Sequence, residues 1–245
     1  MSNQTTWIDP MSMEYHMKQW TTPKESTKSF EKFIKNRLIK NTTVVDIGCG
    51  AGAPTAYLAK NHPNINFIGI EYSEELVEMA INLAKKTNNL IFKQGDIFNL
   101  PSMHEVSGVL LLQTISWIDG FEKPLQEIIE KINPNWIAIT GLFYEGDISC
   151  RTEVIEFKKE SRKVFYNTYS IPAVRRHCEK YHYKLTECFP FEIPIDLDKL
   201  NDIDVMGTYT ERIYTRSKGT RRIQISGPLL LNWYTILLEK EPVPH

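Results

Sequence analysis

Gly48, Gly50 and Gly52 follow directly on the apolar run TVVDI, and Pro54 behind them suits the first turn of a helix. Glycines at this spacing let backbone come close to a ligand, and a helix N-terminus offers N–H groups to an anion. The run even reads GxGxxA with Ala53, so a nicotinamide or flavin site of the Rossmann kind is one candidate. Three carboxylates change the ligand that fits. Asp46 stands two residues before Gly48, where its charge opposes a diphosphate but can organise the loop and face an ammonium group. Glu71 ends IGIE, 19 residues after Gly52, where its two oxygens can accept both hydroxyls of a ribose. Asp96, in QGDIFNLP, supplies an acceptor where an adenine amino group would lie, with Ile97 beside it to pack on the ring; its other reading is an ordinary turn residue. Cys49 fits between the glycines by its small size, without a redox role.

The elements that must position these residues are legible as rhythm. TVVDI (43 to 47), INFIGI (65 to 70), LIFKQ (90 to 94), VSGVLLL (106 to 112) and WIAITG (136 to 141) are short apolar runs ended by Gly, Asp or polar residues, the mark of buried parallel strands. Between the second and third, SEELVEMAINLAKK places Leu76, Val77, Ala80, Ile81 and Ala84 on one helix face, with Ser73 as N-cap and Glu74 and Glu75 in the first turn. Strands alternating with helices give an α/β, doubly wound, mostly parallel sheet, because parallel strands need crossovers that lay helices on both faces.

VVDIGCGAG, EYSEELVEMA and QGDIFNLP together closely resemble, in order and spacing, the class I S-adenosylmethionine-dependent methyltransferases, over roughly residues 40 to 142. The resemblance implies S-adenosyl-L-methionine as cofactor and a Rossmann-like sheet of seven strands, the last antiparallel; LLNWYTILLEK fits that strand. It also implies that Asp46, Gly48, Cys49 and Gly50 line the methionine part, Glu71 and Tyr72 the ribose and adenine, and Asp96 and Ile97 the adenine. Gln113, ending the fourth strand, lies by the same resemblance beside the sulfonium; otherwise its amide satisfies backbone. Ahead of the first strand, MEYHMKQW holds Tyr15 and Trp20, in a segment that family members often fold over the cofactor. Either contacts it there, or both pack as part of an amphipathic helix; His16 reads as a surface residue.

Read as one methyltransferase domain over 1–245, the chain divides into N-terminal cap helices (1–40), a cofactor-binding core (41–142), a C-terminal lid and substrate-side insertion (143–228) and a last core strand (229–241). Within 143–228 the expected elements are a helix-like run to about 167, a helix opening at Ile171–Pro172, a strand in KLTECFPFEI and a hairpin over 208 to 226 turning at Ser217-Lys218-Gly219. Tyr144, Glu145 and Asp147 emerge at the carboxyl end of the fifth strand, where open α/β sheets keep their reactive crevice, and are the candidate catalytic residues. Trp117 is core or pocket wall, and Asp119 a helix-cap residue. The hairpin carries five basic residues and no acid between Arg212 and Arg222. It is either solvated or a positive lid, with Arg221 and Arg222 facing an anionic acceptor. No metal is expected. His177 and Cys178 are adjacent and point to different faces, and Asp196, Asp198, Asp202 and Asp204 lack the Gly and Glu of a calcium loop.

With 29 basic and 30 acidic residues, a net charge of −1 leaves no field that would draw the chain to nucleic acid or an anionic membrane. The four scattered cysteines form no CxxC pair, and neither a leader nor a membrane span stands out, so a reduced, cytoplasmic setting is expected. The expected activity is direct displacement onto the O or N of a small polar metabolite, neutral or anionic, such as a sugar derivative or carboxylic acid; a homo-oligomer is compatible with it. The rivals are a small aromatic or amine acceptor, a Rossmann dehydrogenase, and a catalytically silent cofactor-binding subunit, whose mark would be a damaged glycine motif.

Overall fold

The computed structural model describes residues 10–157, 162–201 and 207–242; the side chains of 10–13, 15, 156, 162 and 163 also lie outside the description. Two helices lead, α1 (Pro10–Thr21) and α2 (Glu25–Ile34), followed by β1 (Thr43–Ile47), α3 (Ala53–Asn61), β2 (Asn66–Glu71), α4 (Glu74–Leu83), β3 (Leu90–Gln94) and β4 (Val106–Leu112). Then come α5 (Glu122–Lys131), β5 (Trp136–Tyr144), β6 (Glu153–Glu156), β7 (Arg162–Phe165), β8 (Tyr169–Ser170), α6 (Ile171–Glu179) and β9 (Tyr183–Phe191). The chain closes with β10 (Thr208–Thr215), β11 (Gly219–Ser226), β12 (Leu229–Leu231) and β13 (Trp233–Lys240).

The main sheet runs β3-β2-β1-β4-β5-β13-β9, with β8 added on β5 as an eighth strand. β1 to β5 pair in parallel, and β13 inserts antiparallel between β5 and β9. The expected α/β doubly wound sheet, mostly parallel with its last strand antiparallel, is therefore the fold. Both faces are covered, which is why the central strands are apolar throughout. One core cluster packs Val45, Ile47, Val109 and Ile139 against α5 and α6; the other packs Val44, Leu110 and Ala138 against α2, α3 and α4. Ser73 caps α4 by accepting from the Leu76 N–H, and Leu76, Val77, Ala80 and Ala84 are buried. Ile81 departs from the expected face: it is about half exposed because the buried stripe is narrower than the apolar spacing implied.

Three boundaries move. β5 runs three residues past its expected end to Tyr144, because the β8 strand pairs with Phe143 and Tyr144 and prolongs the ladder. The core therefore does not stop at residue 142. The helix-like run before 167 is instead the hairpin of β6 and β7. Val154 and Val164 both pack inward on an apolar cluster with Tyr166 and Trp117, an alternation that a helix would not satisfy. Residues 229–241 are not one strand. Leu229–Leu231 pairs with β11, the Asn232 carbonyl accepts from Phe143 N–H, and the core strand begins at Trp233. Lastly, residues 1–9 of the cap segment and Asp202 and Asp204 of the acidic loop lie outside the described residues. The hairpin over 208 to 226 forms as expected and becomes, with β12, a separate three-stranded sheet.

Candidate functional site

The carboxyl ends of β1, β2 and β4 meet around the glycine loop. Gly48, Gly50 and Gly52 all have left-handed backbone, with φ of 73°, 57° and 79°. A Cβ on Gly48 would come within 2.3 Å of Thr114 Cγ2, so steric room as well as φ excludes a side chain there. Four loop amides already have acceptors. Gly48 and Cys49 N–H donate to the Ile70 carbonyl, Gly52 N–H to the Cys49 carbonyl, and Gly50 N–H to Glu71 Oε2 at 2.9 Å. A diphosphate cradle needs such amides pointed at the ligand; here a carboxylate occupies the loop, and the dinucleotide reading loses its anion site.

Asp46 lies fully buried under that loop. Its Oδ2 accepts from the Thr55 hydroxyl at 2.5 Å, and its Oδ1, also buried, has no hydrogen-bond partner. Burial pushes the carboxyl up to about 7, the Thr55 hydrogen bond opposes that rise, and the Glu71 charge adds to it. Cys49 is buried beside them, and burial together with the Asp46 and Glu71 charges holds its thiol well above the usual range, in keeping with a spacer and not a nucleophile. Glu71 braces the turn from both oxygens: Oε2 takes Gly50 N–H, and Oε1 takes Ser73 N–H at 3.0 Å. Each oxygen keeps a second acceptor position, so the expected reach to a ribose is shared with a structural task.

Tyr72, next in the chain, is 44% exposed on the rim. Asp96 Oδ1 accepts from Phe98 N–H at 2.9 Å, the turn geometry that was its second reading, while the half-exposed carboxyl stays at the end of β3. Ile97 is 7% exposed and packs in the main core with Ile70 and Leu100, which leaves only a small part of its side chain at the surface beside Asp96. Gln113 takes φ 64°, a left-handed conformation unusual for a side-chain-bearing residue, at the end of β4. Its N–H donates to the Thr140 carbonyl, and its side-chain amide reaches Ser26 Oγ on α2 at 3.4 Å.

Trp20 Nε1 donates to the Ala51 carbonyl at 2.9 Å, which ties α1 to the glycine loop. Tyr15 sits in α1, with its side chain outside the description. His16 is corrected from a surface residue to a half-buried one: its ring lies over the loop, 3.9 Å from the Cβ position of Gly50. Three contributors carried no signal in the sequence. Thr55 and Ser26 are polar residues on helices with no motif around them, and Thr114 owes its role to donating to the Ile47 carbonyl at 3.0 Å while filling the space above Gly48.

On the acceptor side, Tyr144 is about half exposed at the end of β5. Glu145 Oε1 accepts from the Tyr234 hydroxyl at 2.8 Å, and burial, then that hydrogen bond, push the tyrosine up to about 12. Asp147 pairs with Arg176 at 2.6 Å, which holds its carboxyl below the usual range and weakens it as a proton acceptor. Trp117 is half-buried, edge-on to Tyr166 with ring centroids 4.2 Å apart and tilted against Trp233 at 6.3 Å. A buried network orders the loop bearing it. Asn167 donates to the Ile118 carbonyl and to the Tyr169 hydroxyl, which itself donates to the same carbonyl, and Asn167 N–H donates to the Ser116 carbonyl.

In the basic hairpin Arg212 and Arg222 both clasp Asp196, and Arg221 lies 3.5 Å from Glu192, so acids from the loop after β9 pair with three of the five basic side chains. Among the described residues no group of His, Cys, Asp and Glu is arranged to hold a metal, and no helix is long and apolar enough to cross a membrane.

Comparison with known proteins follows this geometry. The chain is 30% identical over 108 residues to a release factor glutamine methyltransferase of Aliivibrio fischeri, covering 43% of this chain and 38% of that protein. It is 37% identical over 89 residues to a tRNA (guanine-N(7)-)-methyltransferase of Brevibacillus brevis, covering 34% and 42%. It thus spans about two fifths of the length of these curated relatives. In fold it is similar to a Burkholderia thailandensis 1,6-didemethyltoxoflavin-N1-methyltransferase solved with its acceptor and S-adenosylhomocysteine, at TM-score 0.58 and 12% identity over 98% of this chain and 94% of that one. A family model described as a methyltransferase domain matches residues 38–187, and the chain belongs to that family of class I, S-adenosylmethionine-dependent methyltransferases.

Proposed function

We propose that this protein transfers the methyl group of S-adenosylmethionine to an oxygen or nitrogen of a small polar acceptor by direct displacement. The observation that carries the reading is Asp46. A buried carboxylate with one oxygen left unpaired beneath left-handed glycines suits a ligand ammonium group and would repel a diphosphate. In this reading Asp46, Gly48, Cys49 and Gly50 hold the methionine part, Glu71 and Tyr72 the ribose, and Asp96 the adenine edge, with Gln113 beside the sulfonium. Ile97 contributes only the little surface it exposes.

When bound, the cofactor supplies an electrophilic methyl carbon. The chain's own residues align and shield. Trp20 and His16 bring α1 down on the glycine loop, which excludes water from the methionine end. Trp117 and Tyr144 wall the acceptor side. Of the three carboxyl-end candidates, Glu145 is the group suited to take the acceptor's proton, since Asp147 is held by Arg176. Pairing of Arg212, Arg221 and Arg222 with Asp196 and Glu192 weakens the ground for a specifically anionic acceptor. All four cysteines are free, which suits a reducing, cytoplasmic setting.

The test is a thermal shift followed by product detection. S-adenosylhomocysteine raises the melting temperature and nicotinamide dinucleotides leave it unchanged; incubation of a metabolite extract with deuteromethyl-labelled cofactor then places label on a small molecule. A shift with dinucleotide and none with S-adenosylhomocysteine overturns the cofactor reading. Label appearing only in tRNA or protein overturns the acceptor reading.

A further inference from the structure

The geometry points to Thr55 as a positioning residue that keeps the Asp46 carboxylate ionised and aims its open oxygen at the cofactor's ammonium group. The inference rests on the cofactor reading above and deepens it.

Thr55 is the third residue of α3 and is fully buried. A hydroxyl in a first helical turn commonly bonds to nearby backbone. Here Oγ1 instead donates across to β1, to Asp46 Oδ2 at 2.5 Å. With Oδ2 pinned, Oδ1 remains as the acceptor without a partner. Among the described residues Thr55 is the one side chain that donates to Asp46.

The other groups facing Asp46 do not stabilise its charge. Glu71, at the end of β2, is a second carboxylate that disfavours ionisation, and Cys49, on the loop above, carries a thiol held well above its usual range. His16, reaching over the loop from α1, is kept below its ordinary value by burial and by Lys24, so it brings no fixed positive charge. Lys24 itself precedes α2 and lies with Ala53 and Pro54 around a small void at the start of α3. Burial favours the neutral acid, which cannot pair with an ammonium, and the Thr55 hydrogen bond opposes that shift in favour of the anion.

Calorimetric titration of S-adenosylhomocysteine between pH 6 and 9 tests this with wild type, Thr55→Val, Thr55→Ser and Asp46→Asn. Wild-type affinity should rise through about pH 7 as Asp46 ionises. Loss of a hydrogen bond to a charged group moves that midpoint up by about one pH unit or more in Thr55→Val, a loss of roughly fivefold at pH 7 that shrinks toward pH 9. The ligand's own amine titrates identically for every variant and cancels in the affinity ratio. Thr55→Ser should restore the wild-type profile, and Asp46→Asn should flatten it. If Thr55→Val does not fold, Thr55→Ala carries the same expectation.

A loss in Thr55→Val that is equal at every pH, no loss at all, failure of serine to rescue, or persistence of the wild-type pH profile in Asp46→Asn overturns the role of Thr55 while the cofactor reading stands. Absence of binding by the wild type at every pH overturns both.

Discussion

Replacing Asp46 by Asn should stabilise the ligand-free protein at alkaline pH while removing the charge proposed to meet the cofactor's ammonium group. Burial lifts this carboxyl from 3.8 to about 7, so the folded state retains a proton that the unfolded chain has released over that interval. The stability contributed by the neutral acid is fully present below pH 3.8 and lost as pH rises through 7. About three pK units correspond to roughly 4 kcal/mol lost by pH 8. Asparagine stays neutral throughout and can still accept from Thr55 through its carbonyl oxygen. Its amide, however, lands where Oδ1 has no partner, and a buried donor left unsatisfied costs about 1–3 kcal/mol. The net at pH 8 is therefore a gain of about 1–3 kcal/mol, or about 3–9 °C in Tm for a chain of this size. Below about pH 5 the ordering reverses, because wild type is then protonated and pays no charge penalty. Urea titrations of both proteins at half-unit intervals from pH 4.5 to 8.5, without ligand, measure the difference directly. Curves that run parallel with pH would refute the reasoning, since they would mean that Asp46 titrates near its ordinary value and that the glycine loop shields no uncompensated charge.

Glu71→Ala should weaken S-adenosylhomocysteine by about 2 kcal/mol or more in a calorimetric titration, since it removes both the proposed ribose acceptor and the brace on Gly50 and Ser73. Gly48→Ala, at φ 73° with Thr114 Cγ2 in the way, should lose about 2–3 kcal/mol by denaturant midpoint, and adding Thr114→Gly should return only the steric part of it. Asn167→Ala should lower stability by about 2–3 kcal/mol in the same assay, because the Thr152 N–H, the Ile118 carbonyl and the Tyr169 hydroxyl each lose a buried partner. The double reversal Arg221→Glu with Arg222→Glu should leave S-adenosylhomocysteine affinity within about twofold and lower the melting temperature by separating the hairpin from Glu192 and Asp196. Raised acceptor KM with an unchanged melting temperature would instead return these arginines to the acceptor site.

The signals that reached through from the amino acids were local ones. Apolar runs followed by Gly or a polar residue marked β1, β3 and β4 at their observed bounds, because strand periodicity is set by neighbours along the chain. Ser73 capped its helix, and the glycines took left-handed backbone, for the same reason: φ, ψ and a bond three residues away are local properties. Glu71 was placed at the end of β2 by spacing alone.

Charge balance and packing of side chains distant in sequence were decided only in three dimensions. The arginines of the hairpin look like a positive lid until the loop after β9 brings Glu192 and Asp196 against Arg212, Arg221 and Arg222, 16 to 30 residues away in the chain. Residues 153–165 carry enough charge to look helical, yet Val154 and Val164 pair across a hairpin because Trp117 and Tyr166 offer them an apolar surface. Ile97 is swallowed by the core, and Asn232 interrupts what reads as one continuous strand. Within the site itself, the sequence by itself determined that a carboxylate stands before the glycines. That it is buried, held on one oxygen by a threonine nine residues on and without a hydrogen-bond partner on the other, follows from α3 folding back over β1, since desolvation depends on everything that packs around the group and on no pattern beside it.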